Sequence, residues 1–204
     1  MIIIDNIQQG TPEWLAEKIG KPGASNIDKI ITNEGKISKQ REGYLYELAG
    51  EIITGKHENI YKSTAMEIGT EREAESRNFF EFVSGTTIKQ VGMIYKDDRK
   101  LFLCSPDGIL ENKNEGLELK NPLAKTQVKY LLEGKLPSEY FGQIQMSLYV
   151  TGYKYWNFVS YVPGMKPLKL RVEPDKKYQA ILQVELELFC EELKTIVNKI
   201  KENL

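Results

Sequence analysis

The stretch LFLCSPDGILENKNEGLELKN, residues 101–121, constrains this chain more than any other. An apolar run leads into Ser105-Pro106-Asp107-Gly108. A second short apolar run, a polar turn and Leu117-Glu118-Leu119-Lys120 follow. Successive side chains of a strand point to opposite faces. Glu118 and Lys120 therefore share one face, and Leu117 and Leu119 the other. Residues 112–116 are rich in turn formers, so the flanking segments are expected to pair as a hairpin. Pairing brings Asp107, at the hairpin's edge, close to Glu118, and two carboxylates and an ammonium then converge beside two strands. Nearby carboxylates repel and raise one pKa. A divalent cation removes that conflict, and hard oxygen ligands suit Mg²⁺ or Mn²⁺. Lys120 is placed to hold a water or a phosphate oxygen. Metal, water and positive charge together are the equipment of phosphodiester hydrolysis. The same residues also admit a plainer reading, a solvated surface hairpin with an incidental E-x-K ion pair, because short motifs match by chance.

Composition narrows the function classes. A chain of 204 residues suffices for one domain with a real core. The formal net charge of −1 argues against a globally basic nucleic-acid coat but permits a local basic lining. Cys104 lies in an apolar run and Cys190 in a helical pattern, so both are expected as reduced core thiols. The opening MIIIDNIQQG lacks the basic region and long apolar run of a signal peptide. No stretch reaches membrane-spanning length, and the expectation is a cytoplasmic protein. His57, the single histidine, sits in a polar loop with no second His or Cys near it. Zinc binding and Ser/His catalysis have no support there. The absence of a Gly-rich phosphate loop and a Walker lysine argues against ATP use.

Taken in order, Ile2–Ile4 reads as a short strand. Thr11-Pro12-Glu13 starts a helix, with Thr11 as cap and Pro12 in the first turn, and Gly20 ends it. Ser25-Asn26-Ile27-Asp28 reads as the cap of a second helix reaching about Ile31. Ser25 would then stand at a helix N-terminus, a natural anion site, and with Lys18 nearby in sequence could hold a phosphate. The alternative is a simple cap and a solvated charge. A third helix is expected over 38–54, stopped by Gly55. A fourth runs from about Thr64 to Val83, with Ile68, Phe79 and Val83 as its apolar stripe. At about 100° per residue, Glu73 falls beside Met66, Gly69 and Phe80. A glutamate there gains meaning if the helix packs on the Asp107/Glu118 strands. Residues 87–95 and 101–104 read as strands around a charged turn, and Asn121-Pro122 ends the strand of Glu118. Ala124–Glu133 reads as a short helix carrying Lys125 and Lys129 and closed by Gly134. The helix from Pro137-Ser138 to about Val150 is apolar nearly all round and therefore buried, so Gln143 and Gln145 on it need partners. Strands at 155–161 and 168–172 precede a last helix capped by Asp175, with Tyr178, Ile181, Leu182, Leu188, Phe189, Leu193, Ile196 and Ile200 as its apolar side. This order of elements points to an α/β or α+β fold, with α/β expected: a mixed central β-sheet flanked by helices.

Several of these segments together resemble a known family. Ser105-Pro106-Asp107-Gly108, then Gly116-Leu117-Glu118-Leu119-Lys120 followed by a proline, is similar to the phage lambda exonuclease, or YqaJ-type viral recombinase, family of the PD-(D/E)xK nuclease superfamily. Gln8-Gln9-Gly10 with Trp14, and Gly23-Ala24-Ser25, resemble its N-terminal motif. Gly69-Thr70-Glu71-Arg72-Glu73, followed by Phe79-Phe80-Glu81-Phe82, resembles its helix before the sheet, and Gly142-Gln143-Ile144-Gln145 its A-Q-x-Q motif. The likeness runs from residue 8 to past 160.

The resemblance implies a PD-(D/E)xK, restriction-endonuclease-like core, with 1–204 as a single exonuclease domain. It implies that Asp107 and Glu118 ligate Mg²⁺ together with the Leu119 carbonyl, and that Glu73 supports a second metal. Lys120 would orient and help deprotonate the attacking water, and Gln143 would position that water or the scissile phosphate. Lys18 and Ser25 stand where the family holds a 5′-terminal phosphate. A family member carries arginine in place of Lys18; lysine keeps the charge but loses the bidentate fork, which weakens the expectation of a strict end preference.

The implied activity is Mg²⁺-dependent 5′–3′ digestion of one strand of linear double-stranded DNA, with two metals per site and Mn²⁺ able to substitute. It would release 5′-mononucleotides and leave 3′ single-stranded tails for recombination by single-strand annealing. The implied partners are DNA, a ring-shaped homo-oligomer (a trimer) and a single-strand annealing protein, with no membrane, in a bacterial or phage-infected cell. Two other readings stay open: an endonuclease of the same superfamily, which would cut closed circles, and a non-catalytic DNA-binding module of the same fold, which would bind no metal.

Overall fold

The computed structural model describes residues 1–57 and 64–202, with the backbone alone for 64–71 and Glu111. Strand β1 (Ile2–Ile4) is followed by helix α1 (Pro12–Lys18), whose Trp14 N–H donates to the Thr11 hydroxyl. The expected helix at Ser25 is a short 3₁₀ turn over Ala24–Lys29 with Gly23 as its cap, so Ser25 lies inside the turn and is not the cap. Helix α2 (Arg41–Thr54) begins three residues later than expected. Ser38 instead uses its hydroxyl to accept the Gln40 N–H before the helix starts. Gly55 ends α2 in the left-handed region, φ 65°, as an αL cap requires.

Helix α3 (Thr64–Ser84) carries Glu73. Phe80 is its buried aromatic, whereas Val83 is 40% exposed, which corrects the expected stripe. The surroundings of Met66, Ile68 and Gly69 on this helix lie outside the described residues, as does part of the loop after His57.

The expected strand over 87–95 contracts to β2 (Met93–Tyr95), with Lys89 making a lone bridge to Ile109. β3 (Leu103–Cys104) is shorter than its apolar run. β4 (Gly108–Leu110) and β5 (Glu115–Lys120) form the expected antiparallel hairpin, with Gly108 opposite Leu117. Helix α4 (Ala124–Glu133) has the expected bounds and is closed by Gly134. A 3₁₀ turn (Ser138–Tyr140) leads into α5 (Phe141–Thr151), buried at all but two of its eleven positions. β6 (Tyr155–Ser160), β7 (Leu168–Val172) and the long α6 (Lys176–Glu202) complete the chain. The Asp175 carboxylate accepts the Tyr178 N–H and caps α6. Leu188 and Ile200, expected on the inner face of α6, are 50% and 40% exposed, while Leu186 and Val197 are buried in the core.

The architecture is mixed α/β, but its strands divide into two sheets. One is antiparallel, β1-β2-β3; the other runs β4-β5-β6-β7, with β5 parallel to β6 and the other pairs antiparallel. Alternation along β5 decides what each face meets. Leu117 and Leu119 pack with Phe80 of α3, Ile88, Leu110 and Val159. The opposite face turns Glu118 toward α5. The main core runs from Ala24 to Val197 and includes Ile144, Trp156 and Phe158. Each such side chain, fully buried, contributes about 1.5–3 kcal/mol or more of transfer free energy. At Gly116 a Cβ would lie 2.3 Å from the ring of the fully buried Trp156, so β5 can approach β6 only with glycine there. Among the described residues, no helix is long and apolar enough to cross a membrane.

Candidate active site

The hairpin places Asp107 at the mouth of β4. Its N–H donates to the Leu117 carbonyl at 3.1 Å, and its Oδ2 accepts the Leu119 N–H at 2.6 Å. The Asp107 carboxylate is thereby laid against β5, beside the peptide that separates Glu118 from Lys120. Glu118 is 2% exposed. Its Oε1 takes two donors at 2.7 Å each, Lys120 Nζ and Gln143 Nε2. Gln143 comes from the first turn of α5, which Ile27 and Tyr178 flank at Gly142. The Lys120 ammonium also lies 4.9 Å from the Tyr140 ring centroid.

Electrostatics follow from this packing. Burial, and then the neighbouring charge of Glu118, push the Asp107 carboxyl well above the usual carboxylate range. Burial works against the charged form of Lys120. The charges of Glu118 and Asp107 outweigh it, so Lys120 holds its proton more tightly than an ordinary lysine.

Glu73 approaches from α3. With Arg77, Gln9, Gln90, Val91 and Asp107 it lines a cleft of about 490 Å³, and its charge is felt at Asp107. Its carboxylate is paired with Arg77. Among the described residues, no three His, Cys, Asp or Glu side chains converge as a ready ligand set. The structure thus brings Asp107, Glu118, Lys120 and Gln143 together, with Leu119 between them, and leaves Glu73 at the margin.

Among the described residues, Lys18 and Ser25 make no hydrogen bond or ion pair with that cluster. Lys18 ends α1 with its ammonium 3.9 Å from the Trp14 ring centroid. Burial, partly offset by the charge of Glu51, lowers its pKa to about 8. Glu51 is itself buried, accepts the Gly20 N–H at 2.9 Å and faces His57. Ser25 is exposed.

Two further residues touch the Asp107 segment. Gln9 Nε2 donates to the Val91 carbonyl at 2.9 Å and to the Pro106 carbonyl at 2.8 Å. Arg77 Nε donates to the Asp107 carbonyl at 3.3 Å. In the sequence Gln9 stands out only as part of a motif, and Arg77 does not stand out at all. The one available signal was the spacing of Glu73 and Arg77, an acid–base pair at i,i+4 on a helix.

The match to known proteins is specific. The model of the YqaJ-like viral recombinase domain matches residues 13–154. A search of the curated proteins finds no match. Among solved structures, the alkaline exonuclease LHK-Exo from Laribacter hongkongensis is similar at a TM-score of 0.84 and 28% identity, over 95% of this chain and 97% of that chain. LHK-Exo in complex with dAMP is similar at a TM-score of 0.85 and 29% identity, over the same shares of the two chains, 95% and 97%. A phage-related exonuclease from Haemophilus somnus 129PT shares the fold at a TM-score of 0.66 and 12% identity, over 88% of this chain and 96% of that one.

Proposed function

Because this chain belongs to the YqaJ-like viral recombinase family, we propose that it is a Mg²⁺-dependent 5′–3′ exonuclease of linear double-stranded DNA. It releases 5′-mononucleotides and leaves 3′ single-stranded tails for recombination by annealing. The observation that carries the reading is the convergence of Asp107, Glu118, Lys120 and Gln143 on one end of β5. The likeness to LHK-Exo supports nuclease chemistry, and the complex of that enzyme with dAMP supports a nucleotide as product.

The donor set fits a hard divalent cation. Two carboxylates share a buried site in which the proton affinity of Asp107 is raised by burial and by Glu118. Oxygen-rich sites of this kind suit Mg²⁺, with Mn²⁺ able to substitute. Asp107, Glu118 and the Leu119 carbonyl would hold one metal, and Glu73, once released from Arg77, would support a second. Bound there, the metals would supply Lewis acidity toward the scissile phosphate and an acidified water.

The chain's own groups do the rest. Gln143 fixes the Glu118 carboxylate and presents its amide to the water or phosphate. Lys120, held protonated by Glu118 and Asp107, orients the water and offsets negative charge as it develops. It can accept a proton only when the charge of Glu118 is neutralised elsewhere. Lys18 and Ser25 are the groups that would recognise a 5′-terminal phosphate. The one domain would act in the cytoplasm of a bacterial or phage-infected cell, as a ring-shaped homo-oligomer, a trimer, threaded by DNA and working with a single-strand annealing protein.

Digestion with Mg²⁺ tests the proposal. Linear duplex should yield 5′-mononucleotides and leave one strand, while covalently closed circles should survive. Circles cut as readily as linear molecules would replace the exonuclease with an endonuclease of the same superfamily.

A further inference from the structure

We propose that Gln9 and Arg77 are positioning residues that clamp the Asp107 peptide and so set the geometry of the metal site; the inference rests on the metal-dependent reading above. Asp107 is the ligand candidate with the least regular backbone support. It follows a proline, and only three residues separate the two-residue β3 from β4. Its N–H is paired with Leu117. The carbonyls on either side of its Cα are held from outside the hairpin. Gln9 takes the Pro106 carbonyl and Arg77 the Asp107 carbonyl.

Gln9 uses both N–H bonds of its amide, the second on the Val91 carbonyl two residues before β2. It therefore ties the entry of the catalytic hairpin to the other sheet, across 97 residues of chain. Arg77 is fixed in turn. It pairs with Glu73, and with the Gln90 amide oxygen facing it both Nη atoms find an acceptor at 2.9 Å. With both flanking carbonyls held, the Asp107 side chain is left only its own torsions, and its Oδ2 is further fixed by the Leu119 N–H.

Metal sites need ligands placed within about 0.5 Å, and loss of an outer partner typically costs about 10–100-fold in metal affinity or activity. The N-terminal segment has its own anchors, since β1 pairs with β2 and Trp14 Nε1 donates to the Gly92 carbonyl at 2.9 Å. Removing the Gln9 amide should therefore loosen Asp107 without undocking the segment.

The test compares wild type, Gln9→Met and Arg77→Lys as full chains. Arg77→Lys keeps a cation beside Glu73 but loses the planar fork that reaches the Asp107 carbonyl. Mn²⁺ affinity is measured by calorimetry, folding by thermal denaturation, and DNA digestion as a function of Mg²⁺. Both variants should melt near wild type and bind Mn²⁺ about 10–100-fold more weakly. Half-maximal digestion should need proportionally more Mg²⁺, with activity recovering at saturating metal. A variant that melts normally and binds Mn²⁺ like wild type overturns the clamp alone. So does a fall in affinity no larger than the fall in folded fraction. If Gln9→Met does not fold, Arg77→Lys decides on the Mn²⁺ bound by Asp107 and Glu118 alone, measured with Glu73→Gln present in both proteins because Arg77 also pairs with Glu73. Wild type that binds no Mn²⁺ sinks the metal reading itself, and the clamp with it.

Discussion

The cluster around Glu118 and the pair Lys18 and Ser25 are built in opposite ways. Glu118 is 2% exposed and takes donors from its own strand and from α5 at 2.7 Å. Asp107 is pinned by two backbone contacts to the same strand. Ser25 is exposed and its hydroxyl has no hydrogen-bond partner among the described residues; Lys18 rests on an aromatic ring, and none of the described carboxylates is in ion-pair range of it. The difference teaches that the proposed centre for bond cleavage is already built into the fold, whereas the proposed end-recognition groups would be organised by what binds.

The sharpest way to break that contrast is Asp107→Ala. If the buried cluster is the catalytic centre, DNA digestion in Mg²⁺ should fall by roughly a thousandfold or more, since a metal ligand is lost. A variant retaining a tenth of the activity would show that the buried cluster is not where chemistry occurs.

Next comes Gln143→Leu. Its amide donates a hydrogen bond to Glu118. The expected loss is about 10–100-fold in kcat for DNA digestion, the range for a partner that orients a ligand. An unchanged rate would make Gln143 a mere buried amide.

Gly116→Ala probes the platform under the site. The added Cβ would press on the Trp156 ring, which has nowhere to go. We expect a loss of about 1–3 kcal/mol in denaturant unfolding, the usual cost of overpacking. An unchanged midpoint would mean that β5 and β6 can slide apart, and the rigid half of the comparison would weaken.

The smallest effect belongs to Lys18→Met. A single partly wet charge is worth about 1 kcal/mol or less, so preference for 5′-phosphorylated over 5′-hydroxyl ends should drop by roughly fivefold. Burial holds the Lys18 pKa down to about 8 against the opposing charge of Glu51. Its ammonium is present below that pH and lost above it. End preference in the wild type should therefore decline as pH rises through about 8. Lys18→Arg, charged throughout, should flatten the decline. Competition assays with the two kinds of end, run across pH, read both effects.

The strength of local signals explains what was legible. The hairpin was readable because turn formers at 112–116 and alternation in 117–120 act over a few residues, and the buried pairing follows from them. Gln143 was readable because an amide on an all-apolar helix needs a partner. Most of the shortfalls are long-range, and the misplaced helix starts at Ser25 and Ser38 are local. Nothing local separates the strands into two sheets, and nothing at Ser25 says that Gly23 will cap the turn instead. On α6 the choice between Leu186 and Leu188 as the inward side chain depends on where α2 lies. Gln9 was invisible as a contact because its acceptors lie 82 and 97 residues away.

The most direct measurement is anomalous diffraction from crystals of the protein soaked in Mn²⁺. A peak within coordination distance of both the Asp107 and Glu118 carboxylates, absent in Asp107→Ala, is the result expected. Crystals that digest DNA yet show no Mn²⁺ between those two side chains would contradict the account.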